Sequence, residues 1–384
     1  MNARSPRAAN PRAASPRRRE RAGAEDGAAP VQAVGGLPLA PLFEAQRDAL
    51  AAVLARLDSI AHAVLLTGPP GVGKAAFASA LVGALLCEAD PEDAVERPQR
   101  LACGRCDDCR WLRDGSHPDL MSLNLPLDDK GKPKSEISID QVRGIASFAA
   151  MGAYRSRRRA IVVDPAECLN QASSNALLKL LEEPGPGLQI VLVTHRPERL
   201  PATVRSRCRR IAVPHPGQAA ALDWLMRGQG GSEPARAVDE AAARAALAFA
   251  GGAPLHARAF AEPAAMTACR SWVAAISQLP DTSIVVAAEC LASADIALGQ
   301  SLLQRWVVDL ARVQVGAAPV WFPDAHARLR TLAARCVPMR LAQADAGLRR
   351  QAALTAHPLN ARLFLEASCA LYVDAFETET GTRR

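Results

Sequence analysis

Three groups of residues have the types and spacing to do chemistry. The first is Gly68-Pro69-Pro70-Gly71-Val72-Gly73-Lys74. Gly68, Gly71 and Gly73 let the backbone wrap round an anion with its N–H groups turned inward, and Lys74 adds a point charge. The chemistry is phosphate binding, helped by the positive end of a helix that begins at the loop. Position 75 breaks the pattern. A Ser or Thr hydroxyl there helps hold Mg2+, and Ala75 has none. The phosphate cradle survives that loss, but the metal loses an anchor.

The second group is Cys103-Gly104-Arg105-Cys106-Asp107-Asp108-Cys109, three thiols in two overlapping CxxC pairs, with Cys87 upstream. Four thiolates suit a closed tetrahedral zinc site. Closed coordination leaves no place for a catalytic water, so the zinc is expected to fasten an insert. In a reducing compartment this clustering argues for metal rather than disulfides. Cys168, Cys208, Cys269, Cys290, Cys336 and Cys369 are scattered and read as small hydrophobes. The third group is the run of arginines from Arg196 to Arg210, with Arg207 between Ser206 and Cys208. Its plain reading is a solvated basic face. The alternative is an arginine donated to a nucleotide on a neighbouring subunit, where it stabilises charge on the transferring phosphate.

The elements that must hold these groups are legible from periodicity. Leu42, Ala45, Ala49, Val53 and Leu57 recur at helical spacing. A buried strand is expected over 62–67, then the glycine loop, then a helix over 75–87, the order that a phosphate loop requires. Further strands are expected over 120–123, 160–164 and 188–194. Ser138 and Gln141 have capping-box spacing at the start of a helix carrying Val142, Ile145 and Phe148. A helix over 170–182 presents Ala176, Leu177, Leu180 and Leu181 and stops at Pro184. Strands alternating with helices indicate an α/β fold with a parallel sheet covered on both faces. Beyond Val213-Pro214 only helical periodicity remains. The expected organisation is a basic tail (1–37), an α/β domain (38–213) with a zinc module at 87–109, a small helical lid (214–263) and an all-α domain (264–384).

The formal net charge of +7 makes an acidic partner such as nucleic acid plausible without identifying one. Part of it lies in the tail, where Arg17, Arg18, Arg19 and Arg21 sit among Pro, Ser and Ala. Such a stretch cannot bury enough apolar surface to order itself. Its Arg- and Ser-rich, acid-poor composition also matches a transit peptide. No apolar run reaches the ~18–20 residues that span a bilayer, so a cytoplasmic protein with no membrane partner is expected.

With these motifs in view, the chain resembles AAA+ clamp-loader subunits of bacterial DNA polymerase III, most closely the delta-prime type. Their relatives include gamma/tau subunits and the eukaryotic replication factor C subunits. The resemblance runs from Leu42 to Val213. It rests on Ser206-Arg207-Cys208, on the Asn175-Ala176-Leu177-Leu178-Lys179-Leu180-Leu181-Glu182-Glu183-Pro184 helix, and on the Cys87, Cys103, Cys106, Cys109 insert. The segment from Asn360 to Glu366 is similar to the family's collar helices.

The resemblance implies an AAA+ domain, a lid and a collar that oligomerises. It implies gamma/tau and delta subunits as partners in a hetero-pentamer, with a sliding clamp and primer–template DNA engaged through the complex. It makes Arg207 the finger reaching an adjacent gamma/tau ATP site, and puts Thr194 at the sensor-1 position. No sensor-2 arginine follows Gly251-Gly252-Ala253-Pro254, where Leu255 and His256 stand instead. In ring ATPases the acid after the strand-end Asp polarises water. Here Asp164 is followed by Pro165, and Glu167 is expected to point elsewhere. Little or no hydrolysis is therefore expected from Gly68, Gly71, Gly73, Lys74, Asp164 and Thr194, and ATP binding is left open. The competing readings are an active gamma/tau-type motor subunit and an unrelated P-loop enzyme. Ala75 and Pro165 oppose the first, and the second leaves Ser206-Arg207-Cys208 unexplained.

Overall fold

The computed structural model describes residues 43–56, 62–88, 101–128, 131, 133–156, 158–228, 238–293, 296–356 and 359–376. The basic tail, and with it the transit-peptide reading, lies outside them.

In chain order the first part of the chain holds α1 (Glu44–Leu54), β1 (Ala63–Thr67), α2 (Lys74–Leu86), α3 (Asp107–Asp114), β2 (Leu120–Leu123), α4 (Ile139–Ala150), β3 (Arg159–Val163), α5 (Gln171–Glu182), β4 (Leu188–Thr194), α6 (Ala202–Arg205) and β5 (Arg209–Ala212). The strands form one parallel sheet in the order β2-β3-β4-β1-β5. Their period of two sorts side chains to opposite faces. Leu65, Ile161, Ile190 and Leu192 enter a core with Ile145, Phe148, Leu177 and Leu181 of α4 and α5. Val64, Leu66, Val191 and Val193 enter another with Leu50 and Leu54 of α1 and Phe77 and Leu81 of α2. The sheet is therefore buried on both faces, as continuous apolar strands require.

Local chemistry sets the boundaries. Ser138 caps α4 with the full reciprocal box, its hydroxyl accepting from Gln141 N–H while the Gln141 side chain accepts from Ser138 N–H. Asn170 caps α5 by accepting from Ser173 N–H. The buried stripe of α5 is Ser173, Ser174, Leu177 and Leu181, one step round from the expected face, with Ala176 and Leu180 half-buried. The strand expected over 160–164 runs one residue earlier, so Asp164 stands just past its end.

The remainder is helical: α7 (Gln218–Met226), α8 (Glu240–Phe249), α9 (Pro254–Phe260), α10 (Pro263–Gln278), α11 (Ile284–Ala292), α12 (Ile296–Gln314), α13 (His326–Ala333), α14 (Pro338–Ala352) and α15 (Ala361–Val373). One apolar core runs through these helices from Ala221 to Phe376. It is centred on Trp306, whose Nε1–H donates to Tyr372 Oη at 2.9 Å. Asp309 is buried and accepts from the N–H groups of Val320, Trp321 and Phe322 at 2.8, 2.8 and 2.9 Å, which fixes the α12–α13 connection. Among the described residues, no helix is long and apolar enough to cross a membrane.

Candidate functional site

The glycine loop leaves the carboxyl end of β1, which lies between β4 and β5, and feeds directly into α2. Ligands of open parallel sheets bind at such strand ends. Gly73 is the α2 N-cap with φ 100°, a left-handed conformation that side chains resist. Lys74 is almost fully buried, and its Nζ donates to the carbonyls of Gly68 at 2.8 Å and Pro69 at 2.7 Å. Ala75 is exposed at the start of the helix and offers no oxygen.

The start of α9 reaches this loop. Leu255 N–H donates to Gly71 O at 3.1 Å. A Cβ at Gly71 would lie 2.6 Å from both the Cβ and the backbone nitrogen of His256. The residues at the expected sensor-2 place thus pack on the loop, and they bring an imidazole and a leucine where the motif calls for an arginine.

Asp164 and Thr194 come to the same end of the sheet, with Thr67 of β1 paired to Thr194 of β4. Thr194 is fully buried, and its Oγ1 accepts from Arg196 N–H at 3.1 Å. Glu167 corrects the expectation. The turn over 166–168 that follows Pro165 brings its carboxylate back to the cluster, where it accepts from His195 N–H at 3.3 Å. Burial lowers the Lys74 ammonium from its ordinary value, with Asp164 and then Glu167 opposing that shift. Burial pushes Asp164 up to about 6, opposed by Lys74 and reinforced by Glu167. His195 is lowered by burial, against the pull of Glu167.

The four cysteines converge. Their Sγ atoms all lie within 4.8 Å of one another, with the Cys87–Cys106 and Cys103–Cys109 pairs at 3.8 Å. Four sulfurs at ~2.3 Å from one ion in a tetrahedron sit about 3.8 Å apart, so the set fits zinc. Cys87 ends α2 and Cys106 caps α3, so the cluster ties the phosphate-loop helix to the insert. Burial first, then Cys103 and Cys87, raise Cys106 to about 11 against the lowering effect of its hydrogen bonds with Cys109. A bound cation reverses that preference by favouring thiolate.

Behind the cysteines lies a polar network that the sequence did not advertise. Asp108, His117 and Asp119 are all buried. Asp108 Oδ1 is 3.6 Å from His117 Nε2 and 3.1 Å from Arg155 Nε. Asp119 accepts from the N–H groups of Tyr154, Arg155 and Ser156 at 2.7, 2.9 and 2.9 Å, and faces Arg159 at 3.7 Å.

Arg207 lies on the turn between α6 and β5. Parallel pairing matches Val64 with Arg209 and Thr67 with Ala212, so Arg207 precedes the amino end of the strand pair while the phosphate loop leaves its carboxyl end. Three strand residues alone separate these levels by ~10 Å. Arg207 therefore lies at the opposite end of the strand pair from this chain's own Lys74. Cys208 packs beside the sheet core, where burial raises its thiol to about 11.

The family model described as DNA polymerase III, delta subunit, matches residues 47–216. That segment, less than half of the chain, is similar to clamp-loader subunits. The delta-prime subunit of DNA polymerase III from Pseudomonas aeruginosa is 41% identical over 199 residues, 52% of this chain and 55% of that protein. The delta-prime subunit from Escherichia coli is 36% identical over 167 residues, 43% of this chain and 46% of that protein. The tau subunit of DNA polymerase III from Escherichia coli is 33% identical over 152 residues, 40% of this chain and 21% of that protein. The chain spans about half the length of the delta-prime relatives it matches. The matched segment contains the glycine loop, the Asp164 turn and the Arg207 turn alike.

Proposed function

We propose that this chain is a delta-prime-type subunit of a DNA polymerase III clamp loader. It acts as a cytoplasmic assembly subunit that hydrolyses little or no ATP itself. It joins gamma/tau and delta subunits in a hetero-pentamer and helps load the sliding clamp on primer–template DNA. Its AAA+ domain (38–213) carries the chemistry, its lid (214–263) covers the loop, and its helical collar (264–384) assembles the ring. Zinc holds the 87–109 module.

One observation carries the reading: Arg207 sits at the end of the sheet opposite the chain's own phosphate loop. An arginine so placed serves a nucleotide on another subunit, where it stabilises charge on the transferring phosphate. The own site supports the same division of labour. Ala75 and Pro165 lack the hydroxyl and the acid that hydrolysis uses, and Lys74 is bound to its own loop. The active gamma/tau-type reading has the tau similarity in its favour, but that similarity covers a domain that motor and non-motor subunits share. Mixing the purified chain with gamma, delta and clamp tests the proposal. Clamp loading on primed DNA that requires this chain is expected. Failure to enter the complex contradicts it.

A further inference from the structure

Asp108 is a buried carboxylate against the cysteine cluster. Its side chain is 1% exposed, and Cys106 Sγ lies 3.8 Å from its Oδ2. Four thiolates around one divalent ion keep a net negative charge, and a carboxylate beside them adds to it. Holding that charge out of water is costly unless a cation stands close. Among the described residues Asp108 Oδ1 makes no hydrogen bond, so it depends on the groups that face it.

Two groups do. His117 Nε2 is 3.6 Å from Oδ1, and His117 Nδ1 accepts from Asp119 N–H at 3.1 Å, which leaves the proton of the neutral ring on the side of Asp108. Arg155 brings the positive charge. Its Nε is 3.1 Å from Asp108 Oδ1, its Nη2 is 3.4 Å from Asp107 Oδ2, and its guanidinium carbon is 4.9 Å from the centre of the Trp111 ring. Asp107, Asp108 and Trp111 all lie on α3, the helix that Cys106 caps and that contains Cys109. One guanidinium therefore grips the helix that carries two of the four sulfurs.

Arg155 comes from outside the cysteine insert. Asp119 holds its turn through the N–H groups of residues 154–156, and Ser156 Oγ donates to Leu86 O at 3.5 Å, one residue before Cys87. The arginine is thus presented to α3 from a backbone that is anchored separately.

We propose that Arg155 is a positioning residue for the zinc. It holds Asp108 and the start of α3 in register with Cys106 and Cys109, and it offsets the carboxylate charge beside the thiolates. Retention of the ion then depends on a residue remote in sequence from all four ligands. This rests on the zinc reading above and adds to it a group outside the 87–109 module.

Competition for zinc between the full-length chain and a chromophoric chelator tests the assignment, with the zinc content of the unaltered chain measured alongside. Arg155→Met keeps an apolar stem over Trp111 without the charge, and is expected to weaken zinc binding by about tenfold or more. Arg155→Lys keeps a cation for Asp108 and is expected to recover most of that loss, which also shows that the position tolerates substitution. Arg143→Met, which removes an exposed ion pair with Asp140 on α4, should leave zinc binding unchanged. A zinc-bearing chain whose Arg155→Met variant binds zinc as tightly overturns the assignment alone. Equal losses in Arg155→Met and Arg155→Lys also overturn it, since the assignment is to the charge. An unaltered chain that binds no zinc overturns the zinc reading together with it.

Discussion

The guanidinium of Arg207 rests on Glu182, with Nη2 2.6 Å from the carboxylate and Nη1 donating to Thr203 O at 2.9 Å. The contact joins the Ser-Arg-Cys turn to the end of the Asn175–Pro184 motif. Both side chains are partly exposed, at 36% and 49%. Ion pairs so exposed are worth ~0–1 kcal/mol, so Arg207 can exchange this partner for a phosphate at little cost. Glu182→Gln is accordingly expected to change unfolding free energy in urea by less than ~1 kcal/mol. In a reconstituted loader it should alter ATPase by less than about fivefold, the equivalent factor. A larger loss would mean that Glu182 holds the arginine in its working position.

Asp119 anchors the turn over 154–156 through three backbone N–H groups and faces Arg159. Those hydrogen bonds outweigh burial and hold its carboxyl below the ordinary value of 3.8. A depressed carboxyl contributes stability that is present above its unfolded value and lost as pH falls through its folded value. Asp119→Asn is therefore expected to destabilise the chain by ~3 kcal/mol at pH 7, the scale for stripping one partner from a buried charge network. The deficit should shrink once pH falls below ~4. Urea unfolding of both proteins at the two pH values measures it.

Metal analysis of the purified chain should find about one zinc per chain, bound by Cys87, Cys103, Cys106 and Cys109. Cys106→Ser removes a thiolate ligand while keeping a side chain that can cap α3, so zinc is expected to be lost. The resulting disorder should be confined to the insert. Hydrogen exchange should rise across 103–114 and stay unchanged in α12, whose core is remote from the cysteines. Full zinc retention by Cys106→Ser would remove it from the ligand set.

Gly71→Ala tests the contact between α9 and the glycine loop. Its φ of 76° strains any side chain, and its Cβ would meet the Cβ and backbone nitrogen of His256 at 2.6 Å. A loss of ~1–3 kcal/mol is expected, on the scale of backbone strain at one residue. His256→Ala should not rescue it, because the nearest atoms persist in alanine. Rescue by His256→Ala would show that α9 rests on the loop through the imidazole alone.

Much of this was legible in the sequence. β2 and β4 begin and end where apolar runs do, and the capping box at Ser138 marks α4. The cysteine spacing announced its cluster. β5 escaped notice because Arg209-Arg210-Ile211-Ala212 is an edge strand whose arginines mask any alternation. Glu167 was expected to point elsewhere, but the tight turn over 166–168 brings its carboxylate back to His195 N–H. The contacts of Asp108 and Asp119 with residues 154–159, and of His256 with Gly71, depend on tertiary packing between segments distant in the chain, which no local pattern encodes.

The central claim is that Arg207 completes a neighbour's ATP site while this chain's own site does not turn over. The direct measurement is clamp- and DNA-stimulated ATPase of a loader reconstituted with Arg207→Ala, beside the ATPase of the isolated chain. The isolated chain is expected to be inactive, and the substitution should slow the site it serves by ~10³-fold or more. Substantial ATPase from the isolated chain, or an undiminished rate in the Arg207→Ala loader, would contradict it.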